Sequence, residues 1–245
     1  MITRYERPKM MDEALGLLTN PDAVILAGGT VLNASSDRAP VTAVDLQGLG
    51  LSGIEAIDGG VRVGAMATLQ DLADSDLVPP VLRELAHHEA PNTIRNAATV
   101  GGTIAAADSL NHLLAGLLAF EASANIARVD STTTHSVEET LAHPALLAGG
   151  IITDISIPTG GTAVSDRTGR TPMDTPIVAA VAHRDATGET RLAMTGVGST
   201  PLLVDPEHLE ELDPPADFRG SSAYRSQLAQ VLAGRVLDAV SGGAS

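Results

Sequence analysis

The stretch Ala23-Val-Ile-Leu-Ala-Gly-Gly-Thr30 decides how the first half of this chain is organised. Its first five residues are apolar, which predicts a short buried strand, and the Gly pair directly after them ends that strand. Glycine tolerates positive φ and carries no Cβ, so a ligand can approach the backbone N–H groups closely. Successive N–H groups in such a turn form a concave anion site. The stretch therefore predicts a strand that ends in an anion-binding loop.

A second loop of the same kind, Thr99-Val-Gly-Gly-Thr103, lies within a run of small side chains. The hydroxyls of Thr30, Thr99 and Thr103 add hydrogen-bond donors, so two such loops could clasp a pyrophosphate without lysine. Neither loop fits the Gly-x-Gly-x-x-Gly fingerprint of dinucleotide sites, and we expect no βαβ alternation around them. The residues alone indicate a nucleotide phosphate site, and a plain tight turn is the competing interpretation.

The rest of the chain predicts an α+β fold of short strands and interspersed helices in two layers. Alternating apolar residues on either side of Asp58-Gly59-Gly60 predict a β-hairpin over residues 54–65. A strong amphipathic helix is predicted over 221–240, and a short helix over 206–212. The apolar face of the long helix is expected to contain Tyr224, Leu228, Val231, Leu232 and Val236. A first domain over 1–158 would have subdomains of about 1–53 and 54–158. A polar linker would follow at 159–175, and a small α+β domain at 176–245.

Composition excludes several classes of function. The 245 residues include 30 acidic side chains, 15 Lys plus Arg and no Cys, and the net charge is −15. A chain without Cys has no disulfide, no thiolate nucleophile and no cysteine-ligated zinc or iron–sulfur site. The only lysine is Lys9, so a Gly-x-x-x-x-Gly-Lys phosphate loop is impossible. The negative charge and the four aromatic residues argue against nucleic-acid binding.

The sequence also allows predictions about the cellular location of the protein and about metal binding. No apolar run is long enough to span a bilayer, and the N-terminus has no apolar stretch suited to a signal peptide, so we expect a cytoplasmic protein. Glu84, His87 and His88 share a helical face at metal-ligand spacing. No matching ligand set is evident elsewhere, so a solvated helix face is the favoured interpretation and no metal is expected.

An ordered series of motifs resembles the FAD-binding, or medium, subunit of the molybdenum hydroxylases, the family of xanthine dehydrogenase, aldehyde oxidase and aerobic carbon monoxide dehydrogenase. The resemblance covers nearly the whole chain and is more specific than either glycine loop. Its motifs are Arg7-Pro8, Glu13-Ala14-Leu15, Leu26 to Thr30, Val44-Asp45-Leu46, Val63-Gly64-Ala65, Ile94-Arg95-Asn96, Thr99 to Gly102, and Asp174 to Val178.

The resemblance implies FAD as cofactor and assigns two groups of residues to it. One segment is similar to the family segment that wraps the pyrophosphate and ribitol with backbone amides. The other matches the family's second pyrophosphate loop. The first segment comprises Ile25, Leu26, Ala27, Gly28, Gly29, Thr30, Val31, Leu32 and Asn33, and the second comprises Thr99, Gly101, Gly102 and Thr103.

Three further positions depart from the family pattern. Thr103 stands where the family usually has Asn. The family's Asp after the second loop falls on His112, or on Asn111 if the match slips by one residue. A family Lys near the flavin ring falls near Arg167. We retain Asn111, His112 and Arg167 as candidate FAD-binding residues.

The resemblance also implies partners and a path for electrons. Electrons would leave molybdopterin on a large subunit, cross two [2Fe–2S] clusters on a small subunit, and reach FAD on this chain. FAD would pass them to NAD, a quinone or oxygen. The chain would then be an oxidoreductase subunit of a hetero-oligomer, without catalytic residues of its own and inactive alone on the organic substrate. Two alternatives stay open: a flavin-free structural or assembly subunit, and a nucleotide- or anion-binding module unrelated to redox chemistry.

Overall fold

Three β-sheets form the framework of the fold. The computed structural model describes residues 1–34, 36, 39–169, 171 and 174–242. Within these ranges the sheets have three, five and four strands, and helices pack between and around them. The predicted α+β class is confirmed. The described part of the chain contains no helix whose length and apolar character would let it cross a lipid bilayer.

The first sheet is parallel and surrounds the first glycine loop. Strands β1 (Ile2–Glu6) and β2 (Ala23–Leu26) flank β3 (Val41–Asp45), and helix α1 (Met11–Leu17) connects β1 to β2. The expectation of no βαβ alternation was therefore wrong for this segment. Strand β1 was not predicted, because four of its five residues are exposed and no apolar alternation marks it.

The second sheet is antiparallel, with the order β4-β5-β8-β6-β7. The hairpin predicted around Gly59 is confirmed, because Ile54 pairs with Val63 across β4 and β5. Buried apolar side chains of this sheet, such as Ile126 and Ile155, face helices that carry Leu82 and Leu114 in one core. The strands are β4 (Ile54–Ile57), β5 (Gly60–Gly64), β6 (Ser123–Arg128), β7 (Ser131–Ser136) and β8 (Ile151–Pro158).

Helix α6 is the buried centre of the molecule. All eight of its residues are buried, as expected for a helix that is apolar on every side. It packs against α3 and against the third sheet, so it joins the two halves of the chain. The helices of this region are α2 (Leu69–Asp74), α3 (Pro80–Glu89), α4 (Asn92–Arg95), α5 (Val100–Ala106), α6 (His112–Ala119) and α7 (Val137–Ala142).

The third sheet has the order β12-β11-β10-β9 and is covered by the long helix α8 (Ser222–Gly242). Part of the segment that we expected as a linker, residues 159–175, forms β9, which pairs along its whole length with β10. The helix predicted at 206–212 is only a 3₁₀ turn, Leu209–Glu211. The strands are β9 (Thr162–Thr168), β10 (Val178–Arg184), β11 (Thr190–Thr195) and β12 (Leu202–Leu203).

The buried face of α8 differs from the predicted one. Tyr224 and Val231 are 42% and 45% exposed. Small residues such as Ala229 let the helix lie close to β10, whose buried residues Ala180 and Ala182 belong to the same core. The buried side chains of α8 are Arg225, Ala229, Leu232, Ala233, Val236 and Val240.

Candidate functional site

The first glycine loop follows β2 and turns back on itself. Gly29 has φ +72°, a left-handed conformation that glycine adopts without strain. The amide of Asn33 then donates to the carbonyl of Gly29 at 2.9 Å, and the amide of Ala34 donates to Val31 at 3.1 Å. These two bonds close a compact turn immediately after the strand.

The amides inside this turn are open. Among the described residues, no protein acceptor is found for the backbone N–H groups of Gly29, Thr30, Val31 and Leu32. Backbone N–H groups require partners, and a row of them in a tight turn suits the oxygens of an anion. The first loop therefore retains the hydrogen-bonding capacity that the sequence predicted for it.

The second glycine loop is closed. Thr99 caps α5, because its Oγ1 accepts from the Gly102 amide at 3.1 Å and its carbonyl accepts from the Thr103 amide at 2.9 Å. The amides of Val100 and Gly101 donate at 2.9 Å to the carbonyls of Ala67 and Ala65, just before α2. The sequence predicted that backbone amides of both loops would donate to a pyrophosphate. In the second loop, however, these amides already donate to acceptors within the protein.

The two loops meet backbone to backbone. A Cβ at Gly28 would stand 1.8 Å from the carbonyl oxygen of Ala97, just before Thr99. No side chain fits there, so glycine at position 28 is required for the loops to touch. A contact between residues 69 positions apart in the chain thereby builds one wall from both loops.

A cavity of about 500 Å³ opens at this junction, a size typical of small-molecule sites. It brings together most of the residues predicted to bind FAD, including Asn111, which also caps α6 through a 2.8 Å bond from the Leu114 amide. The predicted residues in its wall are Ile25, Ala27, Gly28, Gly29, Thr30, Val31, Leu32, Thr99, Gly102, Thr103 and Asn111.

Five predicted residues lie outside this wall. Leu26 and Asn33 pack behind the first loop, where both side chains approach the Cβ position of Gly29. Gly101 lines a small apolar cavity on the other side of α5. His112 and Arg167 line a separate cavity of about 200 Å³ between α3, α6 and the third sheet. These five residues remain predictions without a place in the main cavity.

Apart from Glu89 and Asp108, the rest of the main wall is aliphatic. Leu69 and Ile94 line it together with Ile25 and Val31, and no aromatic side chain is found among the described residues that form it. Ile25, Val31 and Ile94 are 39%, 64% and 42% exposed, which leaves an apolar rim for a ligand to cover. A flat ring in this cavity would pack on aliphatic groups.

Glu89 is a residue of the wall that the sequence interpretation missed. It ends α3 and lines the main cavity, with a side chain that is 14% exposed. Burial raises the pKa of Glu89 to about 8, although the Leu113 amide donates to its carboxyl at 3.2 Å. Position 89 continues the buried helical face of Leu82, Leu85 and Ala86, and that spacing was the available clue.

Glu89 contacts His112, which is 2% exposed, with 3.1 Å between Oε2 and Nδ1. Burial, and secondarily the charge of Arg167, lowers the pKa of His112 to about 3, so the imidazole is neutral. Among the described residues neither ring nitrogen makes a hydrogen bond of good geometry, although a weaker one to the backbone of Leu85 acts against the fall in the pKa. Within the described residues, no group of three or more His, Asp and Glu side chains is placed to hold a metal.

Known proteins match this chain over nearly its full length. Residues 1–160 match the family described as FAD binding domain in molybdopterin dehydrogenase. The chain is 34% identical to the uncharacterized protein YgfM of Escherichia coli K12, over 95% of this chain and 94% of that protein. It is 28% identical to the nicotine 6-hydroxylase medium subunit of Paenarthrobacter nicotinovorans, over 96% of this chain and 95% of that subunit.

A solved structure agrees with these matches. A chain of carbon monoxide dehydrogenase from Hydrogenophaga pseudoflava superposes with a TM-score of 0.88 at 25% identity, over 98% of this chain and 97% of that one. The open amides of the first loop fit a ligand with a pyrophosphate, and so does the close contact of the two loops at Gly28, where only glycine is possible. The resemblance inferred from the sequence is confirmed: the chain belongs to the FAD-binding domain family of the molybdopterin dehydrogenases, and FAD is the cofactor of that family.

Proposed function

We propose that this chain is the electron-transfer subunit of a molybdenum hydroxylase complex. In this role it receives electrons from [2Fe–2S] clusters on a small partner subunit. A large molybdopterin subunit supplies the electrons to those clusters. The chain has no Cys, so the clusters must lie on other polypeptides. Medium subunits of such complexes, including the nicotine 6-hydroxylase one, are relatives of similar length. The acceptor would be NAD, a quinone or oxygen.

The observation that carries this proposal is the row of four open amides at the mouth of the 500 Å³ cavity. Gly29, Thr30, Val31 and Leu32 would donate to the pyrophosphate oxygens of FAD, in place of the lysines that the chain lacks. Gly102 would let the phosphates approach α5, because apart from Thr99 Oγ1 and Ala27 Cβ nothing lies within 4 Å of its Cβ position.

The remaining wall would position the cofactor and exclude water. Leu69 is fully buried beneath the cavity, and Ile25 and Ile94 at its rim would be covered by the flavin. When bound, FAD supplies the redox chemistry, which converts single electrons into a pair. The protein supplies the position, a low dielectric environment and the polar groups Asn111 and Glu89 at the inner end.

The first test is a titration of the purified chain with FAD. Ala105 is an exposed residue of α5 that lines the cavity, so Ala105→Phe should fill the cavity without straining the helix. We expect the FAD dissociation constant to rise at least about 10-fold, since overlap with the ligand costs more than 1.4 kcal/mol. Ala239→Phe, at an exposed site on α8, is the matched control and should bind FAD normally.

A flavin-free assembly subunit is the second candidate function. The closed second loop favours it, because four amides that could hold phosphate already have partners in the chain. An unaltered chain that takes up no FAD, yet copurifies with an iron–sulfur and a molybdopterin subunit, would establish this second function and refute the first. Stoichiometric FAD that is lost on Ala105→Phe and kept on Ala239→Phe would exclude it.

A further inference from the structure

A third Gly-Gly-Thr sequence, Gly160-Gly161-Thr162, follows β8 and lines a cavity of its own, which we call the Gly160 cavity. Its volume is about 420 Å³, within the range of small-molecule sites. Among the described residues it shares no lining residue with the main cavity. Asn111, just before α6, lines the main cavity, and Phe120, just after α6, lines the Gly160 cavity. The eight residues of α6 are about 12 Å long, so the two cavities lie at opposite ends of this helix.

The buried core fixes the backbone of this third sequence. Gly160 and Gly161 have φ +111° and +75°. The carbonyl oxygen of Gly160 lies 2.9 Å from Nε2 of His183, a buried residue that stacks on Phe120 with ring centroids 4.0 Å apart. The C=O and N–H of a trans peptide point in opposite directions, so the N–H of Gly161 points away from the His183 ring.

Four hydrogen-bond donors in this wall have no acceptor among the described residues. They are the backbone N–H groups of Gly160 and Gly161 and the hydroxyls of Thr159 and Thr162. Nothing lies within 4 Å of the Cβ position of Gly160, so a ligand atom has room beside its backbone. Two adjacent amides flanked by two hydroxyls suit the several oxygens of a phosphate group.

The segment that precedes α3 gives the Gly160 cavity an apolar wall. Val78 is buried there, and Pro79 and Pro80 follow it with a restricted backbone. Leu77 is 46% exposed and leaves apolar surface that a ligand could cover. The cavity therefore combines a row of donors with a rigid apolar surface.

Asp76 is the charged residue in the described wall of this cavity. Its carboxylate is 2.9 Å from the guanidinium of Arg83, and its side chain is 94% exposed. Arg83 and the solvent reduce the repulsion that Asp76 exerts on an anion. A residual repulsion remains, so removal of this charge should strengthen the binding of an anion and weaken the binding of a cation.

We propose that the Gly160 cavity binds a small organic phosphate. The phosphate accepts hydrogen bonds from the amides of Gly160 and Gly161, and the organic group packs on Leu77 and Val78. A ligand at this end of α6 does not contact the flavin. The site is therefore an accessory one, and it goes beyond the proposed electron transfer without depending on it.

The test is a titration of the full chain with phenyl phosphate in the presence of excess FAD, followed by the NMR signals of the backbone amides. We expect the signals of Gly160 and Gly161 to shift saturably. Leu77→Glu adds a charge at a half-exposed place in the wall and should raise the dissociation constant about 5-fold. Val129→Glu, at an exposed site between β6 and β7, is the matched control. Asp76→Asn should lower the constant about 2-fold, because it removes a like charge.

Signals of Gly160 and Gly161 that stay unshifted up to about 10 mM phenyl phosphate would overturn the proposal. Equal affinity for phenylacetate would also overturn it, because a carboxylate would then serve as well as a phosphate. An unaltered affinity in both Leu77→Glu and Asp76→Asn would place the ligand outside this cavity. The Gly29 signal reports on the main cavity in the same spectra, so a failure of FAD to bind is detected separately.

Discussion

In the first glycine loop four consecutive amides have no acceptor among the described residues, whereas in the second loop the four amides from Val100 to Thr103 are all bound within the chain. Both loops read Gly-Gly-Thr in the sequence. The difference arises from what precedes and follows them, because Thr99 caps a helix and Thr30 lies in an uncapped turn. The same short motif thus supplies donors in one place and a rigid wall in the other.

The largest expected effect on FAD binding and stability comes from a substitution that forces the two glycine loops apart. Gly28→Val should abolish FAD binding and lower the free energy of unfolding by about 3 kcal/mol, because its Cβ would overlap the Ala97 carbonyl at 1.8 Å. Urea unfolding measures the stability change. Gly234→Ala, in an open position on α8, should instead stabilise the chain by about 1 kcal/mol. Equal behaviour of the two variants would contradict the contact between the loops.

A second experiment concerns the pH dependence of stability and tests Glu89, a residue of the cavity wall that belongs to neither glycine loop. Neither loop contains a titratable side chain, so we expect pH dependence at the cavity to come from Glu89 in its wall and from His112, which lies behind the wall in contact with Glu89. The raised pKa of Glu89 means that the native state holds a proton which the unfolded state has lost between pH 4.5 and about 8. Its contribution to stability therefore falls as pH rises through that window, by up to about 1.4 kcal/mol per pH unit.

His112 has the opposite sign. Its lowered pKa means that the unfolded state binds a proton which the native state lacks between about pH 3 and 6.5, so its contribution rises with pH there. The two contributions oppose each other from pH 4.5 to 6.5. Above pH 6.5 the contribution of Glu89 falls together with that of His208, whose pKa is raised by its hydrogen bond to Asp205. Glu89→Gln should remove the part of the decline that extends to about pH 8 and that a His208→Gln control retains. Parallel stability profiles for the variant and the unaltered chain would show that Glu89 does not titrate in this window.

The smallest effect compares the two loop threonines directly. Thr99→Val removes the cap of α5 and should lower stability by about 1 kcal/mol. Thr30→Val removes no hydrogen bond within the described residues, so its stability should change by less than about 0.5 kcal/mol. Calorimetric unfolding of both variants provides the comparison. A larger loss for Thr30→Val would reverse the assignment of open and closed loops.

Sequence patterns predicted those parts of the fold whose local chemistry is unambiguous. The hairpin at Gly59 and the strand at Ile25 carry period-two or continuous apolar residues next to glycine. Strands β1 and β9 lack that pattern, because most of their side chains are exposed or only half-buried. Their pairing partners, not their own residues, make them strands.

The site was predictable to the same extent. Both glycine loops were recognised, since each is a local motif, and most of their residues do line one cavity. The closed state of the second loop depends on the carbonyls of Ala65 and Ala67, which lie over 30 positions earlier in the chain. Glu89 was overlooked because a carboxylate at a helix end normally faces solvent, and only the packing of α6 buries it.

The aliphatic wall of the main cavity has an optical consequence. The chain has no Trp, and its Tyr5 and Tyr224 lie on β1 and α8, away from the cavity lining. Flavin emission is quenched chiefly when an indole or phenol ring beside the excited isoalloxazine donates an electron to it. FAD held by this chain has no such donor among the described residues of the wall, so its fluorescence should remain strong. Because no aromatic side chain of that wall stacks on the flavin ring, bound FAD should be detectable by its own fluorescence.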